Sequence, residues 1–380
     1  MDNIYLDYSA DTPPDERVIS VYLKTAAAHF ANPNSAHSPG RSAKEVVDAA
    51  LANTAKLLKV SPDEIIFTSG ASEANNLAIK GIAHTSRRRG KHVISTFLEH
   101  SSVSGTLTFL QEQGWEIDLV DILPNGKVDL THLKALIRDD TVLCAVCAVD
   151  SELGTVQPID EIADILKSYP NCRLHVDATQ AIGKANIDLS LADTASFAPH
   201  KFYGLKGSGV LYKKKGIIIE PLIHGGASTT VYRSGTPDAP AAAALSAALG
   251  YAVCEYDERY ERVSRLNGRL REHFTENKNI RINSPDDAVP HILNISVKGI
   301  KGEEMRRMLD EQGVCVSVKS ACSVANTPSR AVMAISHDRK NALSSWRISL
   351  SHLTTEDEIE RFIKILNALA RDADSLRSFA

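Results

Sequence analysis

Three segments of the 380-residue chain put reactive side chains where an apolar run stops and a turn begins. In FTSGASEANNLAIKG (67–81) the turn holds a glycine and Ala71, a candidate cofactor contact, and a helix opens with Ser72 and Glu73. Free N–H groups at a helix start, with a small hydroxyl beside them, suit an anion and especially a phosphate monoester, although a serine there also serves simply to cap the helix. RLHVDATQAIG (173–183) carries Asp177 at the carboxyl end of a strand-like run, the end at which open α/β sheets bind ligands. An unpaired buried carboxylate is costly, and the basic residue nearby, Arg173, sits at the far end of that run. A protonated ring nitrogen would be a suitable partner. In SFAPHKFYG (196–204), 24 residues beyond Asp177, Lys201 follows His200. Partial burial lowers an amine's pKa and frees its lone pair for a Schiff base. A phosphate cradle, a deep aspartate and a strand-end lysine together describe a site for pyridoxal 5′-phosphate. His100 in FLEHSSV stands where it could stack on the ring, and Gln180 is near enough to Asp177 to donate to the ring hydroxyl.

The elements that must position these residues follow from periodicity. Between about residues 45 and 220, β-branched runs at 64–69, 92–97, 116–122, 141–149, 173–178, 194–200 and 209–214 alternate with amphipathic stretches after Ser72 and at 101–113, 129–138 and 158–169. That order predicts a three-layer α/β domain with a parallel sheet, its strands apolar on both faces. From Ala239 an Ala-rich and then charged stretch predicts one helix of about 35 residues tying two domains together. Strand-like pieces at 291–297, 314–318 and 345–351, with helices at 301–312 and 355–370, predict an α+β domain beyond.

Composition narrows the function classes. Lys and Arg number 43 against 47 Asp and Glu, a net charge of −4, which argues against direct nucleic-acid binding. No apolar run reaches the roughly 20 residues of a membrane helix, and the start lacks signal-peptide features, so the expected location is the cytoplasm and no membrane contact is expected. Six cysteines, at 144, 147, 172, 254, 315 and 322, are too sparse for a disulfide framework. Cys144 and Cys147 form a CxxC inside a strand, where positions three apart face opposite ways. No metal site is expected.

The motifs YLDYSADTP (5–13), NPNSAHSPGR (32–41), FTSGASEANNLAIKG, EH (99–100), ELGTVQPI (152–159), HVDATQAIGK (175–184), HKFYGLKGSGVLY (200–212), HGG (224–226), RSGTP (233–237), SACS (320–323) and WRISLS (346–351) run in this order along the chain. Together they resemble the cysteine desulfurases of the NifS/IscS type, in the class V aminotransferase group. The resemblance implies a pyridoxal-phosphate-dependent transferase of fold type I. It implies a large α/β domain over 16–255 with a mainly parallel sheet, and a small α+β domain over 1–15 and 256–380 carrying the catalytic-cysteine loop. Residue by residue, Lys201 resembles the Schiff-base lysine, Asp177 the partner of the pyridine nitrogen, Gln180 the ring-hydroxyl donor and His100 the stacking histidine. Ser72 and His200 resemble phosphate ligands. Thr236 resembles the threonine that reaches the partner subunit's phosphate, which implies a homodimer. Arg347 resembles the clamp for the substrate carboxylate, and Cys322 the cysteine that the family carries on a mobile loop.

The implied reaction converts L-cysteine to L-alanine and leaves the sulfur on Cys322 as a persulfide. A sulfur-acceptor protein then takes it, for iron–sulfur assembly, nucleic-acid thiolation or phosphorothioation. The chain departs from the family pattern at several positions. Asp150-Ser151 stands for Asn-Asn, Ala198 for a phosphate-binding serine, Pro199 for a glycine and Lys319 for a glycine, and the 322–328 segment is slightly short. Ser151, beside the substrate carboxylate, would exchange an amide donor for a hydroxyl. Another class V enzyme on the same scaffold stays open: a cysteine sulfinate desulfinase, a selenocysteine lyase or a C–S lyase. So, more remotely, does a non-catalytic sulfur-relay scaffold.

Overall fold

A computed structural model of the chain describes residues 3–319 and 327–377. It runs β1 (Ile4–Tyr5), α1 (Glu16–Ala28), α2 (Ser38–Leu58), β2 (Ile65–Thr68), α3 (Ala71–Ser86), β3 (His92–Thr96), α4 (Ser101–Glu112), β4 (Glu116–Val120), α5 (Leu130–Leu136), β5 (Thr141–Cys147), α6 (Ile159–Leu166), β6 (Arg173–Asp177), β7 (Thr194–Phe197) and β8 (Gly209–Lys213). After these come α7 (Ala239–Cys254), α8 (Tyr256–Glu276), β9 (Ile280–Ile282), β10 (Ile292–Val297), α9 (Gly302–Asp310), β11 (Val314–Cys315), α10 (Arg330–Ser336), α11 (Arg339–Ser344), β12 (Ser345–Ser349) and α12 (Glu356–Arg377).

Seven strands form the main sheet in the order β2-β8-β7-β6-β5-β3-β4. Its neighbours pair in parallel except at β8, which is antiparallel to both β2 and β7. All seven residues of β5 are buried, because helices cover both faces and leave no strand side for water. Cys144 and Cys147 are therefore packing thiols, both pushed well above the ordinary thiol range by burial.

The Ala-rich stretch differs from the expected single helix. α7 is 16 residues and α8 is 21, parted at Glu255, which leaves the helical region at φ −103° and ψ 13°. The cause lies in the two surfaces. α7 packs on α1 and α2, whereas the charged α8 offers a stripe of Val263, Leu266, Leu270 and Phe274 to a second apolar cluster. Glu255 secures the bend with ion pairs to Arg17 and Arg259.

That second cluster joins Ile4 and Leu6 to Trp346, Ile348 and Phe362. Around it β10 lies between β12 and β9, both antiparallel to it, while β1 pairs in parallel with β11. The chain's opening residues are thereby stitched to its last third. No helix among the described residues is long and apolar enough to cross a membrane.

Candidate active site

A cleft of about 400 Å³ opens at the carboxyl ends of the parallel strands, where the strand backbones leave polar groups and the loops diverge. Its wall contains Ala71, Ser72, His100, Ser151, Asp177, Gln180, His200, Lys201 and Arg347, side chains brought together from α3, the N-cap of α4, β6, β12 and the turns after β5, β6 and β7. Thr236 is exposed and does not line it. Cys322 lies outside the described residues.

Asp177 ends β6 and is 5% exposed. Its Oδ1 accepts the Thr179 N–H at 3.0 Å and its Oδ2 accepts Asn75 Nδ2 at 2.9 Å. Asn75 is the centre of a buried relay that sequence reading missed. Its Oδ1 accepts from His175 Nε2 at 2.9 Å and from Ser196 Oγ, and burial draws the His175 pKa to about 4. A neutral ring that donates through Nε2 accepts the Thr194 hydroxyl at Nδ1, 2.9 Å away. The donors of His175 and Ser196 and one N–H of Asn75 thus lead toward Asp177, while the amide also donates to Ser102 Oγ at 2.8 Å. The legible signal was positional, since Asn75 sits one turn beyond Ser72, on the helix face turned to the sheet.

Lys201 closes a single 3-10 turn, Pro199–Lys201, that starts on the proline standing for glycine. Its Nζ donates to the Ser9 carbonyl at 3.0 Å and the Ala10 carbonyl at 2.5 Å. Burial foremost, then the nearby Arg347 charge, lowers its pKa to about 8. The stretch after β1 is therefore a wall of the site, held by Thr12 donating to the His200 carbonyl at 2.9 Å. Backbone carbonyls carry no side-chain signature, so Ser9 and Ala10 were invisible in the sequence. Burial, reinforced by Lys201, lowers the His200 pKa to about 4. His100 caps α4, accepting the Ser102 N–H at Nδ1, and burial lowers its pKa as well.

α3 begins without a side-chain cap, so its first N–H groups face the cleft unspent. Gly209 explains the tight fit of that turn, because a Cβ there would come within 2.5 Å of the Gly70 backbone. Glu73, in the same helical turn, is occupied by Arg233 at 2.9 Å.

Arg347 is 2% exposed. Its Nη2 meets Asp7 Oδ1 at 2.8 Å and its Nη1 donates to the Ser151 carbonyl at 2.7 Å, while Nε has no protein partner. It is the backbone of Ser151, rather than the hydroxyl, that touches the arginine. Asp150 shapes that turn by accepting the N–H groups of Glu152 and Leu153 at 3.1 and 2.5 Å. Burial, with Glu152 nearby, raises its pKa to about 7. Lys319 donates to the carbonyl and hydroxyl of Thr327 at 2.9 and 2.7 Å, joining the two residues that flank the Cys322 segment. Just outside them, the Ser317 carbonyl accepts the Arg347 N–H and Ser329 Oγ bonds Glu152. The described residues on either side of that segment are thus tied to Arg347 and Glu152.

This donor set fits pyridoxal phosphate. It offers uncapped helix N–H groups for a phosphate, a carboxylate held ready by donors for a ring N–H, and an amine of lowered pKa for an aldehyde. No group of three or more metal-ligating side chains occurs among the described residues.

A lysine and an aspartate that line one cleft are the pair that a class of enzymes using an aldehyde cofactor with a ring nitrogen requires. The model of the aminotransferase class-V family matches residues 4–362. The cysteine desulfurase IscS of Vibrio cholerae is 38% identical over 386 aligned positions, 99% of this chain and 94% of that one. Two solved structures extend the likeness. A NifS-like protein superposes with a TM-score of 0.90 at 34% identity, covering 97% of this chain and 99% of its own. SspA in complex with cysteine gives 0.81 at 31% identity, over 92% and 99%. The chain belongs to the class V aminotransferase family, among its pyridoxal-phosphate-dependent cysteine desulfurases of the NifS/IscS type.

Proposed function

We propose that this cleft binds pyridoxal 5′-phosphate and L-cysteine and passes the substrate's sulfur to Cys322 and then to an acceptor protein. The observation that carries the reading is the meeting of Lys201, Asp177, an uncapped α3 N-terminus and the buried Arg347 in one cleft. Ala71, Ser72 and His200 hold the phosphate, Asp177 the ring N–H, Gln180 the ring hydroxyl, His100 the ring face and Lys201 the aldehyde. When bound, the cofactor supplies an electron sink for the pair left on the substrate's α carbon.

The chain's residues supply the rest. Arg347, oriented by Asp7 and the Ser151 carbonyl, offers its remaining N–H groups to the substrate carboxylate. Lys201, with a pKa of about 8, exchanges a proton with the α carbon near neutral pH. The Cys322 thiolate attacks the substrate sulfur. The carbon–sulfur bond breaks with its electron pair left on carbon, and protonation there gives alanine.

A homodimer accords with Thr236 lying exposed, beside a stretch that leaves Ile223 and Val231 in solvent and is tied by Ser228 to Asn34, near the exposed Phe30. In this reading Thr236 serves the partner's phosphate site. SspA, a relative solved with cysteine, supports cysteine as substrate. The test is to incubate the purified chain with L-cysteine and measure alanine, sulfide and the mass of the Cys322 peptide. Alanine with a persulfide on Cys322 is expected. Alanine without that persulfide would indicate one of the lyase or desulfinase readings, and no alanine would overturn the activity.

A further inference from the structure

Lys184 is a buried lysine to which the reaction gives no part. It follows Gly183, whose φ of +72° turns the chain back beneath the cleft, and it is 6% exposed. Its Nζ donates to Gln180 Oε1 at 2.5 Å. Gln180 in turn donates through Nε2 to the Ser9 carbonyl at 2.8 Å, the carbonyl that also receives Lys201. These contacts fix the sense of the amide from opposite ends, since a carbonyl can only accept and the amine brings the hydrogens. Turning the amide over would set its NH2 against Nζ and its oxygen against another oxygen. In the observed sense Nε2 keeps a second N–H for the cleft that Gln180 lines.

The setting is expensive for a residue that merely fills space. The charges acting most on Lys184, those of Lys201 and Arg347, are both positive, and burial with them lowers its pKa to about 7. Arg259, His291 and His352 line a small pocket together with Lys184 and Lys201. A methionine would fill the volume without the desolvation cost. Charged or neutral, Nζ supplies the hydrogen and Oε1 has none to give.

We infer that Lys184 is a positioning residue that locks the Gln180 amide so that only N–H groups, never its oxygen, face the ring oxygen of the cofactor. The inference rests on the pyridoxal phosphate reading above. An N–H aimed at an anionic ring oxygen favours the deprotonated form of the bound chromophore, so losing that aim raises the chromophore's pH midpoint.

Apo forms of the wild type, Lys184→Met, Lys184→Gln, Gln180→Leu and the Lys184→Met/Gln180→Leu double variant are reloaded with pyridoxal phosphate and titrated by visible absorbance, with melting of each apo form recorded. Lys184→Met and Gln180→Leu should both raise the midpoint and weaken cofactor affinity, by about three- to tenfold. The double variant should move less than the sum of the two, and Lys184→Gln, a neutral donor, should shift less than Lys184→Met. A Lys184→Met protein with wild-type midpoint and affinity overturns the inference, as do fully additive shifts. If Lys184→Met does not fold, Lys184→Gln decides, since a shift as large as that of Gln180→Leu is the contrary result. A wild type that takes up no pyridoxal phosphate overturns the functional reading and this inference together, whereas a normally loaded wild type confines the failure to Lys184.

Discussion

Arg347 Nη2 and Asp7 Oδ1 lie 2.8 Å apart although 340 residues separate them in the chain. Asp7 is itself held by Ser317 Oγ, 2.8 Å from its Oδ2, so the chain's opening segment fixes the guanidinium from one side and the Ser151 carbonyl from the other. Lysine has a single donor head and cannot reproduce this fork. Arg347→Lys should lower kcat/KM for L-cysteine by about 10- to 100-fold through KM while leaving the cofactor's absorbance intact. An unchanged KM would take the carboxylate away from Arg347. Asp7→Ala leaves the guanidinium buried without its counter-charge and should cost about 3 kcal/mol in urea unfolding.

The lowered pKa of Lys201 makes a prediction about pH. Reaction with an aldehyde needs the neutral amine, so the rate at which the apo chain takes up pyridoxal phosphate should rise with pH through a midpoint near 8 and then level off, read from the growth of visible absorbance. A midpoint near 10.5 would mean that burial does not act on the amine. The stability of the apo chain follows the same group. Between about 8 and 10.5 the folded chain holds fewer protons than the unfolded one, so stability rises with pH across that window. Lys201→Met should make the rise shallower, leaving the part that Lys184, lowered to about 7, contributes over the same window.

The main sheet was legible in the sequence because strands buried on both faces read as unbroken β-branched runs, as TVLCAVC does in β5. The break at Glu255 was not, because composition cannot report which surface each half of a helical stretch will cover. Side chains at strand ends, Asp177 and Lys201 among them, announced themselves by chemical type and position. The groups that aim them did not. Ser9 and Ala10 act through carbonyls, and Asn75 and Lys184 act on other side chains rather than on a substrate, so their spacing marks no motif of its own. The departure at Asp150-Ser151 was visible as a lost amide, yet its structural meaning, a buried carboxyl capping the turn whose carbonyl holds Arg347, depends on tertiary contacts.

That carboxyl yields the next prediction. Asp150 is raised from 3.8 to about 7, so between those values the folded chain holds more protons than the unfolded one. Its contribution to stability is accordingly greatest below about pH 4 and is lost as pH rises to 7. Asn can accept the same two backbone N–H groups without a charge to desolvate. Asp150→Asn should stabilise the chain by about 2 kcal/mol at pH 8 and much less at pH 5, measured by urea unfolding. Equal effects at both pH values would show that Asp150 is not buried as a titrating acid.

Asn75 predicts a different kind of loss. Asn75→Ala strands the His175 Nε2–H and Ser196 Oγ and removes a donor from Asp177. The fully buried site gives water no ready route to replace them, so destabilisation of about 2–4 kcal/mol is expected with a weaker hold on the cofactor. Wild-type unfolding and cofactor affinity in this variant would mean that Asp177 needs no such support.

The sulfur carrier can be separated from the cofactor machinery by one atom. The thiols that remain in Cys322→Ser cannot take its place. Cys144, Cys147 and Cys172 are buried with raised pKa values, and Cys315 is also raised by burial, which disfavours the nucleophilic thiolate in each. Cys254 is exposed, but it sits at the end of α7 and does not line the cleft. Cys322→Ser should therefore bind pyridoxal phosphate with wild-type absorbance and still alter that absorbance on adding L-cysteine, while the persulfide and the sulfide released by reductant fall to background. Sulfide release at the wild-type rate would assign the transfer to another thiol, and a variant without the absorbance change would place Cys322 ahead of the sulfur step.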